Sequence, residues 1–276
     1  MKVLDLFSGI GGFALGLENA GFETAAFCEI DPYAQKVLAK NWPEVPIYDD
    51  VRRITADRLV SDGIRVDVIT GGFPCQDIST AGTKSGFNGE RSGLWSECAR
   101  LLGDVRPRYA IFENVTNLLA GDGGDWFKRV LWDISSVGYD AEWHCIPAST
   151  IGAHHHRDRV WIVAFPHEFG LEEHGYSESD KSFISSKAVS DPSSEGLQGG
   201  QEARNNGKDR KKPRDQLITG FSGVQGGIWE AEPNVGRVAN GVPSRSHRLR
   251  CLGNAVVPQI PELIGRQIME AERGRP

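Results

Sequence analysis

Over its first 165 residues the chain alternates short apolar runs with amphipathic stretches, the pattern of strands joined by crossover helices in a parallel sheet. Few folds accept it. Strands are expected at 2–7, 24–28, 66–70 and 109–112, with 141–146 and 159–165 as an antiparallel pair closing one edge. Between them, 13–19, 32–41, 93–102 and 125–136 place apolar residues three and four apart, as helices with one buried face do. The expected fold class is therefore α/β, a doubly wound, mostly parallel sheet of Rossmann-like form.

The pattern breaks after Phe165. Residues 167–235 hold ten glycines and nine serines in 69 positions, with charge blocks that cannot make a packed core alone. They are expected to form a small irregular region, partly disordered. Apolar spacing returns where Pro258 leads into Leu263, Ile264, Ile268 and Met269, a helix expected to rejoin the first domain. Residues 1–166 and 236–276 are thus read as one domain interrupted by 167–235.

No stretch reaches the roughly 18 apolar residues a membrane span requires. The start, MKVLDLFSGIGG, turns glycine-rich where a signal peptide would stay apolar, so the reading is a cytoplasmic protein. Five scattered cysteines without a C-x-x-C pair suggest neither a disulfide framework nor zinc. The net charge of −6 argues against a wholly basic surface, yet charge is segregated. From 233 to 261 there are four arginines (Arg237, Arg245, Arg248, Arg250) and no acidic residue, and 208–214 holds five basic residues against one aspartate. A polyanion could dock on either stretch.

Four constellations carry chemistry. DLFSGIGG, residues 5–12, ends a strand and opens a helix, so backbone amides can approach a ligand there. Glycines at 9, 11 and 12 miss the dinucleotide spacing, and Glu29 ends the next strand where a carboxylate can accept both ribose hydroxyls. An adenosine-bearing ligand without a diphosphate fits that pair. GGFPCQDIS, residues 71–79, puts Cys75 in a turn at the carboxyl edge of the sheet, where a thiolate would be an exposed nucleophile. FENV, residues 112–115, places Glu113 at another strand end on the same edge. In HHHRDRVWIV, His154 and His156 could share a face, but metal binding is not expected. Arg157 and Arg159 also share a face and could together bind a phosphate or a planar carbonyl.

These constellations, in this order, resemble the DNA cytosine-5 methyltransferases. DLFSGIGGFALGL is similar to that family's cofactor motif, CEID (28–31) to its ribose-contacting acid, DDV (49–51) to its adenine contact and GFPCQ to its nucleophile loop. ENV is similar to its cytosine-binding glutamate, R-D-R to its Arg-x-Arg pair, and GNAVVP (253–258) to its last motif. The resemblance covers about 1–165 and 236–270. It implies Cys75, Glu113, Arg157 and Arg159 as catalytic residues. It implies an S-adenosylmethionine site drawn from Asp5, Phe7, Gly9, Ile10, Gly11, Gly12, Glu29, Ile30, Asp50, Val51, Pro74, Leu94, Asn254 and Ala255. Residues 167–235 fall where the family keeps its target-recognition domain. His155 stands where the family usually has glutamine, and the stretch that normally precedes the last motif is not recognisable between 233 and 252.

The resemblance implies methylation of carbon 5 of cytosine in a specific sequence of double-stranded DNA, through a Cys75 adduct to C6 of a flipped-out base. It implies a monomer with no membrane partner, and does not identify a companion restriction endonuclease. RNA is the alternative substrate within the same chemistry, but Thr116-Asn117 after ENV speaks for DNA. A catalytically silent adenosine-binding module is disfavoured by intact Cys75 and Glu113, and a dehydrogenase by the glycine spacing.

Overall fold

The computed structural model describes residues 1–74, 93–167 and 244–274. Seven strands form one sheet: β1 (Lys2–Leu6), β2 (Glu23–Cys28), β3 (Ile47–Tyr48), β4 (Val68–Gly72), β5 (Tyr109–Val115), β6 (Tyr139–Pro147) and β7 (Asp158–Pro166). Their order is β3-β2-β1-β4-β5-β7-β6. The first five run parallel, and β7 pairs antiparallel with both β5 and β6. The expected doubly wound sheet with an antiparallel closing pair is the observed one.

Both faces of the sheet are covered, which is why its strands read as continuous apolar runs. Leu4, Leu6, Ile69, Phe112 and Ile162 pack against α4 (Gly93–Val105) and α5 (Asp125–Ser136), with α3 (Ala56–Ser61) adding Leu59. Their neighbours Val3, Val68, Ile111 and Trp161 face the other way, onto Phe13 and Leu17 of α1 (Gly12–Asn19) and Ile260, Ile264 and Ile268 of the last helix. α2 (Pro32–Asn41) joins that second layer through Leu38, which packs with Phe27 and Ala14. A short helix, α6 (Arg245–Asn254), precedes the last one, α7 (Gln259–Arg273).

Three expectations are corrected. β1 stops at Leu6 because Phe7 takes a positive φ of 54°, which no strand residue adopts. β5 runs on to Val115, so Glu113 lies inside a strand and not at its end; ladders to β4 and β7 on both sides extend it. The stretch before the last motif carries a helix, α6, that its sequence did not announce, since none of its described side chains is buried. No described helix is long and apolar enough to cross a membrane.

Candidate active site

Strand order reverses on either side of β1, and the chain leaves β1 and β4 for helices on opposite faces of the sheet, the place where open α/β sheets bind ligands. The chain leaves β1 through Phe7, Ser8 and Gly9. Ser8 Oγ donates to the carbonyl of Asp5 (2.6 Å), which tightens the turn. Gly9 has a φ of 54°, and a side chain there would meet nothing within 4 Å. Its amide donates to Glu29 Oε2 (2.7 Å), while Glu29 Oε1 accepts from the amide of Asp31 (2.7 Å). A half-buried carboxylate is thus held by two backbone donors beside open space, with lone pairs left for hydroxyls. Ile30 next to it is 70% exposed, an apolar surface suited to a flat base.

The other expected cofactor residues divide into contacts and supports. Gly12 is a packing residue: a Cβ on it would lie 2.6 Å from the carbonyl of Val256, so α1 sits directly on the last motif. Gly11 is covered by the ring of Trp42. Asp5 is fully buried below the turn, where Thr70 Oγ1 donates to its Oδ1 (2.6 Å) and Oδ2 has no partner. Burial pushes its pKa up to about 7 against the Thr70 hydrogen bond, with the charge of Glu29 adding to the rise. Val51 is buried in the core, Phe7 and Leu94 pack against that same core, and Pro74 is half-buried. Asp50 caps the short turn that begins at Val51 and holds Arg52 through both carboxylate oxygens (3.0 Å each), which lowers its pKa. Asn254 is exposed. A cavity of 910 Å³ touches Ile10, Gly11, Gly12 and Ala255 but not Glu29, Ile30 or Asp50. It runs alongside the Glu29 cradle without containing it.

On the β4–β5–β7 side the site is drier. Glu113 is 9% exposed, and Arg159 Nε lies 2.9 Å from its Oε1. Desolvation raises the pKa of Glu113, although Arg159 and Arg157 pull it down. Gly72 is the register partner of Glu113, and a Cβ there would lie 3.4 Å from Glu113 Oε2. The glycine therefore keeps the second carboxyl oxygen uncovered from that side. β4 ends at Gly72, and Phe73 and Pro74 lead towards Cys75. Cys75 lies outside the described residues, as do 168–243 with the basic block 208–214 and Arg237.

The two arginines do not converge on one group, contrary to the sequence expectation. Arg157, at a strained φ of 35°, donates to the carbonyls of Gly253 (2.7 Å) and Ala255 (2.8 Å), while Arg159 turns to Glu113. Alternation along an extended strand placed them on one face, but Arg157 precedes that geometry. Its role is to tie the β6–β7 connection to the last motif. His156 is held locally: its Nε2 lies 3.1 Å from Asp158 Oδ2 and its Nδ1 3.2 Å from Ser149 Oγ.

Two residues escaped the sequence reading. Asn114 is buried, and its Nδ2 donates to the carbonyl of Phe73 (3.1 Å), fixing the chain two residues before Cys75. A polar residue inside the apolar β5 run was the available signal. Arg100 on α4 reaches the carbonyls of Ile54 (2.9 Å) and Val51 (3.4 Å) and so supports the Asp50 turn. Nothing in its surroundings in the sequence distinguishes it from a solvated helix arginine.

A family model described as C-5 cytosine-specific DNA methylase matches residues 1–235. The chain belongs to that family. It is 40% identical over 168 residues to the type II methyltransferase M2.BsuMI of Bacillus subtilis, a match covering 59% of this chain and 42% of that protein. To M.FnuDI of Fusobacterium nucleatum it is 31% identical over 225 residues, 80% of this chain and 64% of the relative. A crystal structure described as a DNA modification methyltransferase encoded within an E. coli prophage superposes with a TM-score of 0.53 at 26% identity, covering 77% of this chain and 62% of that one. The matches thus span from about two-fifths to two-thirds of the length of these relatives.

Proposed function

We propose that the protein transfers a methyl group from S-adenosylmethionine to carbon 5 of cytosine in a specific DNA sequence. The observation that carries this reading is Glu113: a buried carboxyl paired with Arg159 on the sheet edge, opposite a glycine on the strand that leads to Cys75. Cytosine offers an acceptor at N3 beside a donor at its exocyclic amine. A carboxyl whose pKa is raised by burial matches both, donating its proton to N3 and accepting from the amine.

C5 is a poor nucleophile until C6 is attacked. The Cys75 thiolate adds to C6 as Glu113 gives its proton to N3, and C5 of the resulting enamine would take the methyl group as its bond to the donor's sulfur breaks and the thioether leaves. Loss of the C5 proton to water then lets the Cys75–C6 bond break with release of the thiolate, restoring the ring double bond as the N3 proton returns to Glu113. Arg159 holds Glu113 in place and brings its guanidinium within the same pocket for the cytosine carbonyl. None of these atoms is reachable within a duplex, so the base is flipped out.

The donor group fits the Glu29 cradle: backbone donors, an anionic carboxylate for ribose hydroxyls and the exposed face of Ile30 for adenine. S-adenosylmethionine, when bound, supplies the electrophilic methyl group. Gly9 and Glu29 orient it, and residues 167–235 read the DNA sequence. The type II methyltransferases among the relatives support a DNA-modifying enzyme of a restriction-modification system, which we propose acts in the cytoplasm as a monomer. Incubation with radiolabelled S-adenosylmethionine and either DNA or tRNA tests the reading. Label is expected in DNA cytosine, and label in tRNA alone or in neither would overturn it.

A further inference from the structure

The helix α6 is held in an unusual way. None of its described side chains is buried, and Leu249 and Leu252 are 57% and 63% exposed, so apolar burial does not fix it. Polar contacts do. At its carboxyl end Arg157 holds the carbonyls of Gly253 and Ala255. Mid-helix Arg250 pairs with the carboxylate of Asp31, and nearer the amino end His247 stacks on Tyr33 with ring centroids 5.3 Å apart and planes at 21°.

Asp31 is the residue where this contact gains a consequence. Its carboxylate caps α2 by accepting from the amides of Tyr33 (2.7 Å) and Ala34 (3.4 Å). Its own amide is one of the two donors that hold Glu29, the other being Gly9. A continuous set of hydrogen bonds therefore runs from Arg250 through Asp31 to Glu29 and the glycine turn. Resting on the reading of that turn as the S-adenosylmethionine cradle, we infer that Arg250 is a positioning residue for the cofactor. By pinning α6 to Asp31 it fixes the Asp31 amide, and with it the orientation of the Glu29 carboxylate.

The inference extends the role of α6 beyond the last motif at its end. Among the described residues, the link from α6 to the cofactor cradle runs through the ion pair of Arg250 with Asp31. That pair is largely exposed on the arginine side, with 56% of Arg250 accessible against 24% of Asp31, so its strength is modest and sensitive to salt.

Calorimetric titration of the full chain with S-adenosylmethionine, at about 50 and 300 mM salt, tests it together with steady-state rates. Arg250→Ala is expected to weaken cofactor binding about three- to tenfold at low salt and to lose part of the wild-type salt dependence. The rise is expected in KM for the cofactor, with kcat at saturation within about twofold of wild type. Arg250→Lys should recover most of the affinity. Asp31→Asn, which keeps a helix cap but removes the charge, should weaken binding to a similar extent, and the double variant no further. These two variants keep the test readable if alanine loosens α6. Unchanged or tighter binding in both Arg250→Ala and Asp31→Asn, or a loss confined to kcat, would overturn the inference. A wild-type chain that binds no S-adenosylmethionine would instead overturn the reading beneath it, and the inference with it.

Discussion

Two carboxylates stand on the same edge of the sheet and are treated in opposite ways. Glu29, at the end of β2, is half-buried and held by two backbone amides beside open space. Glu113, within β5, is buried between β4 and β7 and is paired with Arg159, with the charge of Arg157 also acting on it. Backbone donors fix a direction without adding charge, which suits the ribose binding proposed for Glu29. Burial raises the cost of charge, which suits the proton delivery proposed for Glu113. On the proposed reading the sheet would separate binding from chemistry by depth, with Asp5 buried beneath the Glu29 side.

The comparison breaks first at Glu113. Glu113→Gln keeps a donor and an acceptor for the base but has no proton to transfer, so kcat should fall by about a hundredfold or more. The cofactor dissociation constant should stay within about twofold, because Glu29 and Gly9 are untouched. Rapid-quench turnover and calorimetry read the two effects separately. A Gln variant with near wild-type kcat would remove the proton-delivery role.

Asp5 sharpens the same contrast through pH. Its pKa is about 7 in the folded protein against an ordinary 3.8. At pH values below the ordinary one, both folded and unfolded chains hold the proton. Between about 4 and 7 only the folded chain does, so stability falls as pH rises through that window, by roughly 4 kcal/mol at most, and then levels off. Asp5→Asn should keep the Thr70 hydrogen bond and flatten this slope. Urea unfolding at pH 5 and pH 8 checks it, and an equally steep fall in the Asn variant would assign the slope to other groups.

The smallest effect belongs to Glu29. Glu29→Ala should raise the S-adenosylmethionine dissociation constant by about tenfold, the scale of one lost charged hydrogen bond, with kcat at saturating cofactor largely kept. An unchanged affinity would put the cofactor elsewhere, and the 910 Å³ cavity beside Trp42 would be the place to look.

Much of the fold and of the site is legible in the sequence, and the parts that are not share a cause. The apolar runs of β1, β4 and β5 announce themselves because both faces of the sheet are buried. β3 contributes two residues and α3 six, too few to show a period. α6 escaped because a helix held by Arg250, His247 and Arg157 has no apolar stripe to read. Glu29 and Glu113 could be named from their motifs, whereas the packing role of Gly12 and the clamp of Arg157 depend on residues 253–256, over ninety positions away from either. Local pattern predicts which atoms carry chemistry better than it predicts which ones hold them still.

The central claim is a covalent bond between Cys75 and the target cytosine. DNA carrying 5-fluorocytosine at the methylated position tests it most directly, because fluorine at C5 cannot leave as the proton does. With S-adenosylmethionine present, the wild-type chain should form a complex with this DNA that survives denaturing electrophoresis, and Cys75→Ala should form none. Methyl transfer to ordinary DNA without any such complex would contradict the account.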